Sequence, residues 1–224
     1  MKRLILLATI LISGAAIAQK SIEKNIGEFK ELKVYDLIEV ELVKSNENKA
    51  IITGSNTQEV VINNKNGTLK IKMNIGKIFD GNNTKVILHY TSLDIIDVNE
   101  GAKVSGKDSI KQFEIDLRAQ EGGSIEIPLD VNYAIIKSVT GGKIKATGNA
   151  KSQKISLLTG GIYNAENLET NKTEVSINAA GEAYVKATKL VDVKIRAGGD
   201  VYIYGNPETV NESTVLGGRI KRME

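Results

Sequence analysis

The sequence predicts an all-β fold: a right-handed parallel β-helix, or β-solenoid, of about six to seven turns with an irregular or antiparallel N-terminal cap region. Three observations support this prediction. A pair of small residues recurs seven times between Ser92 and Glu224, at steps of 18 to 21 residues. Apolar residues recur around each pair at offsets of two, as the alternating side chains of a strand require. A period of about twenty residues without a helical segment is the size of one solenoid turn.

The repeats align on their small pairs. These pairs are Gly101-Ala102, Gly122-Gly123, Gly141-Gly142, Gly160-Gly161, Ala180-Gly181, Gly198-Gly199 and Gly217-Gly218. Six residues before the second member stand Ile96, Leu117, Ile136, Ile155, Val175 and Val193. Two residues after it stand Val104, Ile125, Ile144, Tyr163, Ala183, Val201 and Ile220. If the repeats stack as successive turns, each set becomes an inward-facing ladder with neighbouring side chains about 4.8 Å apart.

The small pairs are predicted to form the corners of the turns, because glycine reaches positive φ without steric cost and allows stacked backbones to approach closely. The alternative is a meander of hairpins with each pair as a turn. Two-residue hairpin loops prefer Asn-Gly or Asp-Gly, and the pairs in this chain are of neither kind. The parallel solenoid is therefore the favoured interpretation.

Residues 1–18 have the features of a secretory signal peptide. Lys2 and Arg3 precede an apolar run over residues 4–12, and Ala16-Ile17-Ala18 forms a small-residue cleavage site before Gln19. The apolar run is too short for a good membrane span, although an uncleaved anchor is the alternative. The prediction is an exported protein located in a periplasm, on an outer surface or outside the cell.

Residues 19–91 read as an N-terminal β cap region that continues into the repeats of residues 92–224 as a single domain. Alternating residues predict strands over 29–34 and 38–42, and Val86–Tyr90 is a further short strand. Asn66-Gly67, flanked by two strand-like runs, is the strongest hairpin signal in the chain. A cap is expected because an open solenoid end exposes unpaired backbone and apolar side chains.

Composition excludes several classes of function. After removal of Lys2 and Arg3 the net charge is only +1, without the basic excess that nucleic-acid binding requires. The sequence has no cysteine and a single histidine, so neither disulfides nor a metal site built from these residues is expected. No cofactor is predicted, and no apolar run in the mature chain reaches the length of a membrane-spanning helix.

Both ends of the mature chain resemble a known secreted bacterial family. The opening Phe29-x-x-Leu32-x-Val34, the segment from Val201 to Pro207 (VYIYGNP) and the closing Gly217-Gly218-Arg219-Ile220 carry the resemblance. The chain resembles the family called putative auto-transporter adhesin, head GIN domain, from about Phe29 to Ile220. The resemblance implies a β-solenoid in an exported protein, with adhesion as the suggested role and no catalytic residues to transfer.

Candidate catalytic residues are few. His89 lies in an apolar strand. A catalytic histidine needs a partner group, and the sequence indicates neither a Ser-His-Asp nor a Cys-His set, so we expect His89 to be a strand-surface residue. Glu100 and Glu121 occupy equivalent places on successive repeats, where mutual repulsion could raise one pKa or both could share a Ca²⁺. A carboxylate-based polysaccharide lyase or hydrolase is therefore the alternative function, and solvated corner residues are the simpler interpretation.

The best candidate for a binding site is a group of three tyrosines on the last repeats. Tyr184 and Tyr202 stand three residues after the second small residue of successive repeats, and Tyr204 follows on the same face of its strand. Tyrosine rings on a rigid sheet can bind a sugar or anchor a partner protein, or they can simply stabilise the sheet by cross-strand pairing. The favoured function is non-enzymatic adhesion or envelope interaction, with a surface glycan or an envelope protein as the partner.

Overall fold

A computed structural model describes residues 21–223, so the predicted signal peptide and Glu224 lie outside the described residues. Short 3₁₀ turns at Thr57–Glu59 and Ile75–Lys77 are the only helical elements in this part of the chain. The strands are β1 Ile22–Asn25, β2 Glu31–Val34, β3 Glu39–Lys44, β4 Lys49–Gly54, β5 Val60–Lys65, β6 Thr68–Met73, β7 Thr84–Tyr90, β8 Ile95–Val98, β9 Lys103–Gly106, β10 Ile110–Ala119, β11 Ser124–Val139, β12 Lys143–Leu158, β13 Gly161–Ala165, β14 Leu168–Ile177, β15 Gly181–Lys186, β16 Leu190–Ile195, β17 Asp200–Tyr204, β18 Thr209–Thr214 and β19 Arg219–Arg222.

The predicted fold class is confirmed: the described chain is an all-β solenoid of about seven turns, and 65% of residues 21–223 lie in strands of one curled sheet. From β8 to β19 every strand pairing is parallel. The alternative of a hairpin meander, which requires antiparallel neighbours, is therefore wrong for the repeats. The handedness of the coil stays a prediction.

The stacking of the repeats follows the register that their alignment predicts. Ile155 of β12 pairs with Ile136 of β11 on one side and with Val175 of β14 on the other, and Val175 pairs in turn with Val193 of β16. These four side chains are buried in one continuous apolar core. Residues that match in the alignment are therefore neighbours in space, and the inward ladders hold the solenoid together through apolar burial.

The small pairs lie at corners, as predicted, but the residue before each of the first four pairs is also part of the turn. At the second corner Glu121 and Gly122 have φ values of 51° and 75°, and the backbone N–H of Gly123 donates to the carbonyl of Gln120 at 2.8 Å. Two consecutive positive φ values with an i to i+3 hydrogen bond define a type I′ turn. The same tight turn that closes hairpins elsewhere therefore redirects the chain from one wall of the solenoid to the next.

The N-terminal region forms the first end of the solenoid and partly belongs to it. Strands β2 and β3 pair in parallel with β8 and β9 on one side and with β6 and β7 on the other. The first rung of the solenoid in chain order, β2 with β3, is therefore an inner one. The next, β6 with β7, is the outer rung at this end, and the repeats then continue on the opposite side of β2 and β3. Strands β4 and β5 pair antiparallel with β7 and β6 of this outer rung, and β1 pairs antiparallel with β4. Strands β5 and β6 form the predicted hairpin at Asn66-Gly67.

Strands β18 and β19, the last rung of the described solenoid, have charged residues at positions that are apolar in the preceding rung. Glu212 of β18 pairs with Val193, and Arg222 of β19 pairs with Ile203. A guanidinium nitrogen of Arg222 lies 3.6 Å from a carboxylate oxygen of Glu212. Charged side chains on an edge strand oppose edge-to-edge growth of a sheet.

Candidate functional site

The outer face of β15 and β17 brings two of the predicted tyrosines into contact. Tyr184 and Tyr202 are directly opposite each other in the parallel ladder. Their ring centroids are 4.6 Å apart and the ring planes differ by 8°, so the rings are stacked. The separation matches the distance between hydrogen-bonded strands, which means that the stack follows from the solenoid register and requires no distortion of the backbone.

The stack determines which parts of the rings a ligand can reach. One face of each ring is covered by the other ring, and the ammonium of Lys221 lies 5.7 Å from the ring centroid of Tyr202. A sugar therefore cannot lie flat on the inner faces of this pair. The ring edges and hydroxyl groups remain for contacts, and both tyrosines are half-buried rather than fully exposed.

Tyr204 lies on the same outer face two residues further along β17, opposite Lys186 of β15. Burial, and next the carboxylate of Glu166, raise the pKa of Tyr204 above its usual value. The structure therefore places all three predicted residues on one wall. We call the surface formed by Tyr184, Tyr202 and Tyr204 the tyrosine patch.

Charged residues that the sequence reasoning missed border the tyrosine patch. Glu182 pairs with Asp200 and Asp200 with Arg219, so these residues form the next outward column. Arg219 donates two hydrogen bonds to Asp200, from Nε at 2.7 Å and from a terminal nitrogen at 2.5 Å. This pairing lowers the pKa of the Asp200 carboxyl. The column stands two residues before the tyrosines in each repeat, so the same alignment could have identified it.

The pKa of the Tyr184 hydroxyl is strongly raised by its surroundings. Its hydroxyl donates to a carboxylate oxygen of Glu182 at 3.0 Å. Burial and then this carboxylate raise the pKa of Tyr184 from 10.0 to about 12. Both causes favour the neutral phenol, because a phenolate would lose hydration and face a negative charge.

The shift predicts a late titration of Tyr184. Because its pKa is higher in the folded than in the unfolded chain, the folded chain holds this proton more tightly, and the associated stability is lost as the pH rises from 10.0 to about 12. Alkaline titration followed by tyrosinate absorbance should show a component near the upper end of this range that Tyr184→Phe removes. A Tyr184→Phe titration curve that keeps this late component would contradict the assignment.

The two carboxylates considered for catalysis lie at neighbouring corners. The backbone N–H of Gly101 donates to the carbonyl of Glu121 at 3.0 Å, which brings the corners of Glu100 and Glu121 together. Glu100 is half-buried and Glu121 is exposed. Burial, followed by the charge of Asp36 and more weakly that of Glu121, raises the pKa of the Glu100 carboxyl. Neighbouring carboxyl groups, one of them with a raised pKa, are chemically compatible with acid–base catalysis.

The remaining candidates give no constellation of catalytic groups. His89 is half-buried on β7, opposite Val43 and Lys49 of the adjacent strands. Within residues 21–223 no group of three or more histidine, aspartate or glutamate side chains is placed to hold a metal ion. In the same part of the chain no helix is long and apolar enough to cross a membrane.

Solved structures share this fold at low sequence identity. A crystal structure of a putative adhesin from Bacteroides fragilis superposes with a TM-score of 0.83 at 19% identity, covering 93% of this chain and 98% of the other. A putative lipid binding protein from Parabacteroides distasonis gives 0.67 at 17% identity, with coverages of 92% and 96%. A putative adhesin from Parabacteroides merdae gives 0.61 at 15% identity, again with coverages of 92% and 96%.

The sequence itself also matches a family model. A comparison with curated proteins finds no match. The model for putative auto-transporter adhesin, head GIN domain, matches residues 28–207, which is most of the chain. The match includes the Phe29 motif and the segment from Val201 to Pro207, whereas the closing motif at residues 217–220 lies outside it. The chain belongs to the family of the putative auto-transporter adhesin, head GIN domain.

Proposed function

We propose that the protein is an exported, non-enzymatic adhesin that binds a partner at the cell envelope through the tyrosine patch. Family membership supports an adhesive role. The observation that carries the proposal is the row formed by the stacked Tyr184 and Tyr202 with Tyr204 beside them. A rigid solenoid wall holds these side chains in fixed positions, so binding costs little conformational entropy.

The geometry of the patch favours a protein partner over a flat-lying sugar. Stacking leaves the ring edges free for contacts, and the rings are bordered by the Asp200–Arg219 ion pair and by Lys221. Tyrosine and arginine together are typical of the energetically dominant residues in protein interfaces. A surface glycan is the other partner class, and it would interact through hydrogen bonds to the hydroxyl groups or through the ring of Tyr204.

Export is part of the same proposal. The positive start, short apolar run and Ala16-Ile17-Ala18 site direct the chain out of the cytoplasm. A fold without cysteine has no disulfide to stabilise it outside the cell, and its apolar core supplies the main stabilisation instead. N-terminal sequencing of the secreted protein should give Gln19 as the first residue. Recovery of the chain with Met1 still attached would contradict this part of the proposal.

The patch is tested by removing its rings. We expect Tyr184→Ala with Tyr202→Ala to lower binding of the purified protein to cell-envelope fractions by about tenfold or more, since loss of two central interface tyrosines typically costs over 2 kcal/mol. Binding is measured by sedimentation with the fractions and on a glycan array. The melting temperature should fall only slightly, because the rings lie outside the core.

Two matched variants make the test specific. Lys145→Ala with Asn164→Ala truncates the same outward column on two earlier rungs, and it should leave binding unchanged. Tyr184→Phe with Tyr202→Phe keeps the stack but removes both hydroxyl groups, so it separates hydrogen bonding from ring contact. Equal binding by the wild type and the double alanine variant would exclude the tyrosine patch as the adhesive surface.

A glycan-active enzyme is the second candidate, and the raised pKa of Glu100 beside Asp36 and Glu121 is the observation that favours it. Such an enzyme should degrade a polysaccharide in a broad screen, and Glu100→Gln should abolish that activity while leaving binding through the tyrosine patch intact. Binding without any degradation would support the adhesin.

A further inference from the structure

At the other end of the solenoid an apolar loop projects from the cap. Residues 74–80 connect β6 to the segment before β7, and we call them the cap loop. Ile75, Ile78 and Phe79 of this loop are 81%, 52% and 58% exposed. Three large apolar side chains are thus exposed within five residues of the chain, and clustered exposure of this kind is typical of an interaction site.

The cap loop is held rigidly rather than left loose. Both oxygens of the buried Asp36 carboxylate accept backbone N–H bonds from the ends of the loop, one from Met73 at 2.9 Å and one from Phe79 at 3.2 Å. Within the loop, Lys77 donates to Asn74 at 2.8 Å. These bonds fix the loop at both ends, so its apolar side chains are presented in a defined arrangement.

The backbone of Phe79 adopts a strained conformation. Its φ is 61°, a left-handed conformation that bulky residues rarely adopt. Strain of this kind persists only where surrounding contacts enforce it, and it concentrates at functional positions. Here the Asp36 bond enforces it, and the aromatic ring projects into solvent instead of packing on the core.

Cationic side chains lie next to the apolar ones. Lys70 and Lys72 on the outer face of β6 line a groove of about 260 Å³ together with Ile75 and Ile78. Neither lysine forms an ion pair within residues 21–223, whereas Lys77 pairs with Asp80 at 3.3 Å. Val61 of β5, opposite Lys72 in the hairpin, is also partly exposed and extends the apolar area.

The acidic residues near the cap loop are less exposed than the two lysines or are bound by neighbouring groups. The Asp36 carboxylate is buried and engaged by two backbone N–H groups. Glu100 also lines the groove and is half-buried. Glu59 accepts a hydrogen bond from the side chain of Asn74 at the loop base. The exposed lysines therefore face solvent beside an apolar projection.

We propose that the cap loop is a membrane-surface anchor that inserts Ile75, Ile78 and Phe79 into the boundary region of an anionic lipid bilayer while Lys70 and Lys72 contact the headgroups. Apolar side chains projecting beside free lysines are complementary to this surface, where acyl chains lie below negative headgroups. The proposal is independent of the tyrosine patch, because the cap rung and β17 lie at opposite ends of the stack.

Vesicle binding tests the anchor. The probe is a vesicle of phosphatidylglycerol and phosphatidylcholine in equal parts, and the protein is the predicted mature chain, residues 19–224, because the apolar run at residues 4–12 could itself bind lipid. The wild type should sediment with these vesicles, less at high salt and less with phosphatidylcholine alone. Changing Ile75, Ile78 and Phe79 to serine should weaken binding by more than about tenfold.

The chain offers a matched control on other surfaces. Phe113, Val215 and Leu216 are 71%, 59% and 82% exposed, and their triple serine variant removes equally exposed apolar side chains far from the cap loop. This triple variant should bind vesicles as the wild type does. The double variant Tyr184→Ala with Tyr202→Ala should do the same. A loss as large in the Phe113 triple variant as in the cap-loop variant would overturn the proposal.

Fluorescence gives a direct readout of insertion. The natural sequence has no tryptophan, so Phe79→Trp introduces the only indole, and its emission should move to shorter wavelength when mixed vesicles are added. Phe113→Trp should show no such change. The proposal is overturned if wild-type protein fails to bind the mixed vesicles or if the Phe79→Trp emission does not move. It is also overturned if the cap-loop variant instead abolishes a concentration-dependent dimer formed without lipid.

Discussion

Ile155→Asp is expected to unfold the protein or to lower its melting temperature by about 10–20 °C. Ile155 is 1% exposed and lies between Ile136 and Val175 in the central ladder. The substitution removes the apolar contacts of the isoleucine and places a carboxylate without a partner in the core. Such an uncompensated buried charge costs about 5 kcal/mol, and about 2–4 °C is lost per kcal/mol in a domain of this size.

Lys154→Asp is the matched control, because Lys154 is the preceding residue of β12 and its side chain is exposed. The same acidic group then faces solvent, and the melting temperature should change by only a few degrees. Thermal denaturation followed by circular dichroism measures both variants. Similar melting temperatures for the two would contradict the inward orientation of the Ile155 column, on which the tyrosine patch also depends.

The pairing of the repeats was predictable because each repeat pairs only with the repeats before and after it in the sequence. Each turn contacts its neighbours along the sequence, so a fixed spacing of residues becomes a fixed pairing in space. For that reason the alignment alone gave the pairing of Tyr184 with Tyr202 as well as the core ladders. It also indicated the corners, although it did not show that Glu121 joins Gly122 in the turn.

The cap was less predictable because its pairings are not local. Leu32 of β2 pairs with Leu69 on one side and with Ile96 on the other. Alternation of side chains shows which face of a strand is buried, but it does not select a partner strand many residues away. Sequence reasoning therefore found the strands and the Asn66-Gly67 hairpin of this region but not the order of its rungs.

A buried polar network in the solenoid interior was also not predicted. The hydroxyl of Tyr163 donates to Gln153 at 2.7 Å, and the amide of Gln153 donates to the Thr173 hydroxyl at 3.0 Å. Thr170 lies 2.9 Å from the same hydroxyl. The ladder alignment correctly placed Tyr163 inside, but a glutamine in a strand reads as a surface residue unless its buried partners are known.

Gly142→Ala is expected to destabilise the protein by about 3 kcal/mol, because the new methyl group would overlap the adjacent rung. A Cβ atom at this position would lie 2.1 Å from the carbonyl oxygen of Ala119 and 2.5 Å from its carbonyl carbon. Both atoms belong to the backbone of a stacked strand, so no side-chain rotation can relieve the overlap. The third corner would have to move away from the second, which would lengthen the ladder hydrogen bonds between β11 and β12.

Gly141→Ala separates this close approach from the conformational role of glycine. Gly141 has a φ of 70°, but a Cβ atom there would meet no atom within 4 Å. The substitution should therefore cost only about 1–2 kcal/mol, the penalty for a left-handed alanine. Urea denaturation of the two variants measures the difference. If Gly141→Ala were the more damaging change, the positive φ of the first glycine rather than the close approach at the second would be the main constraint on this corner.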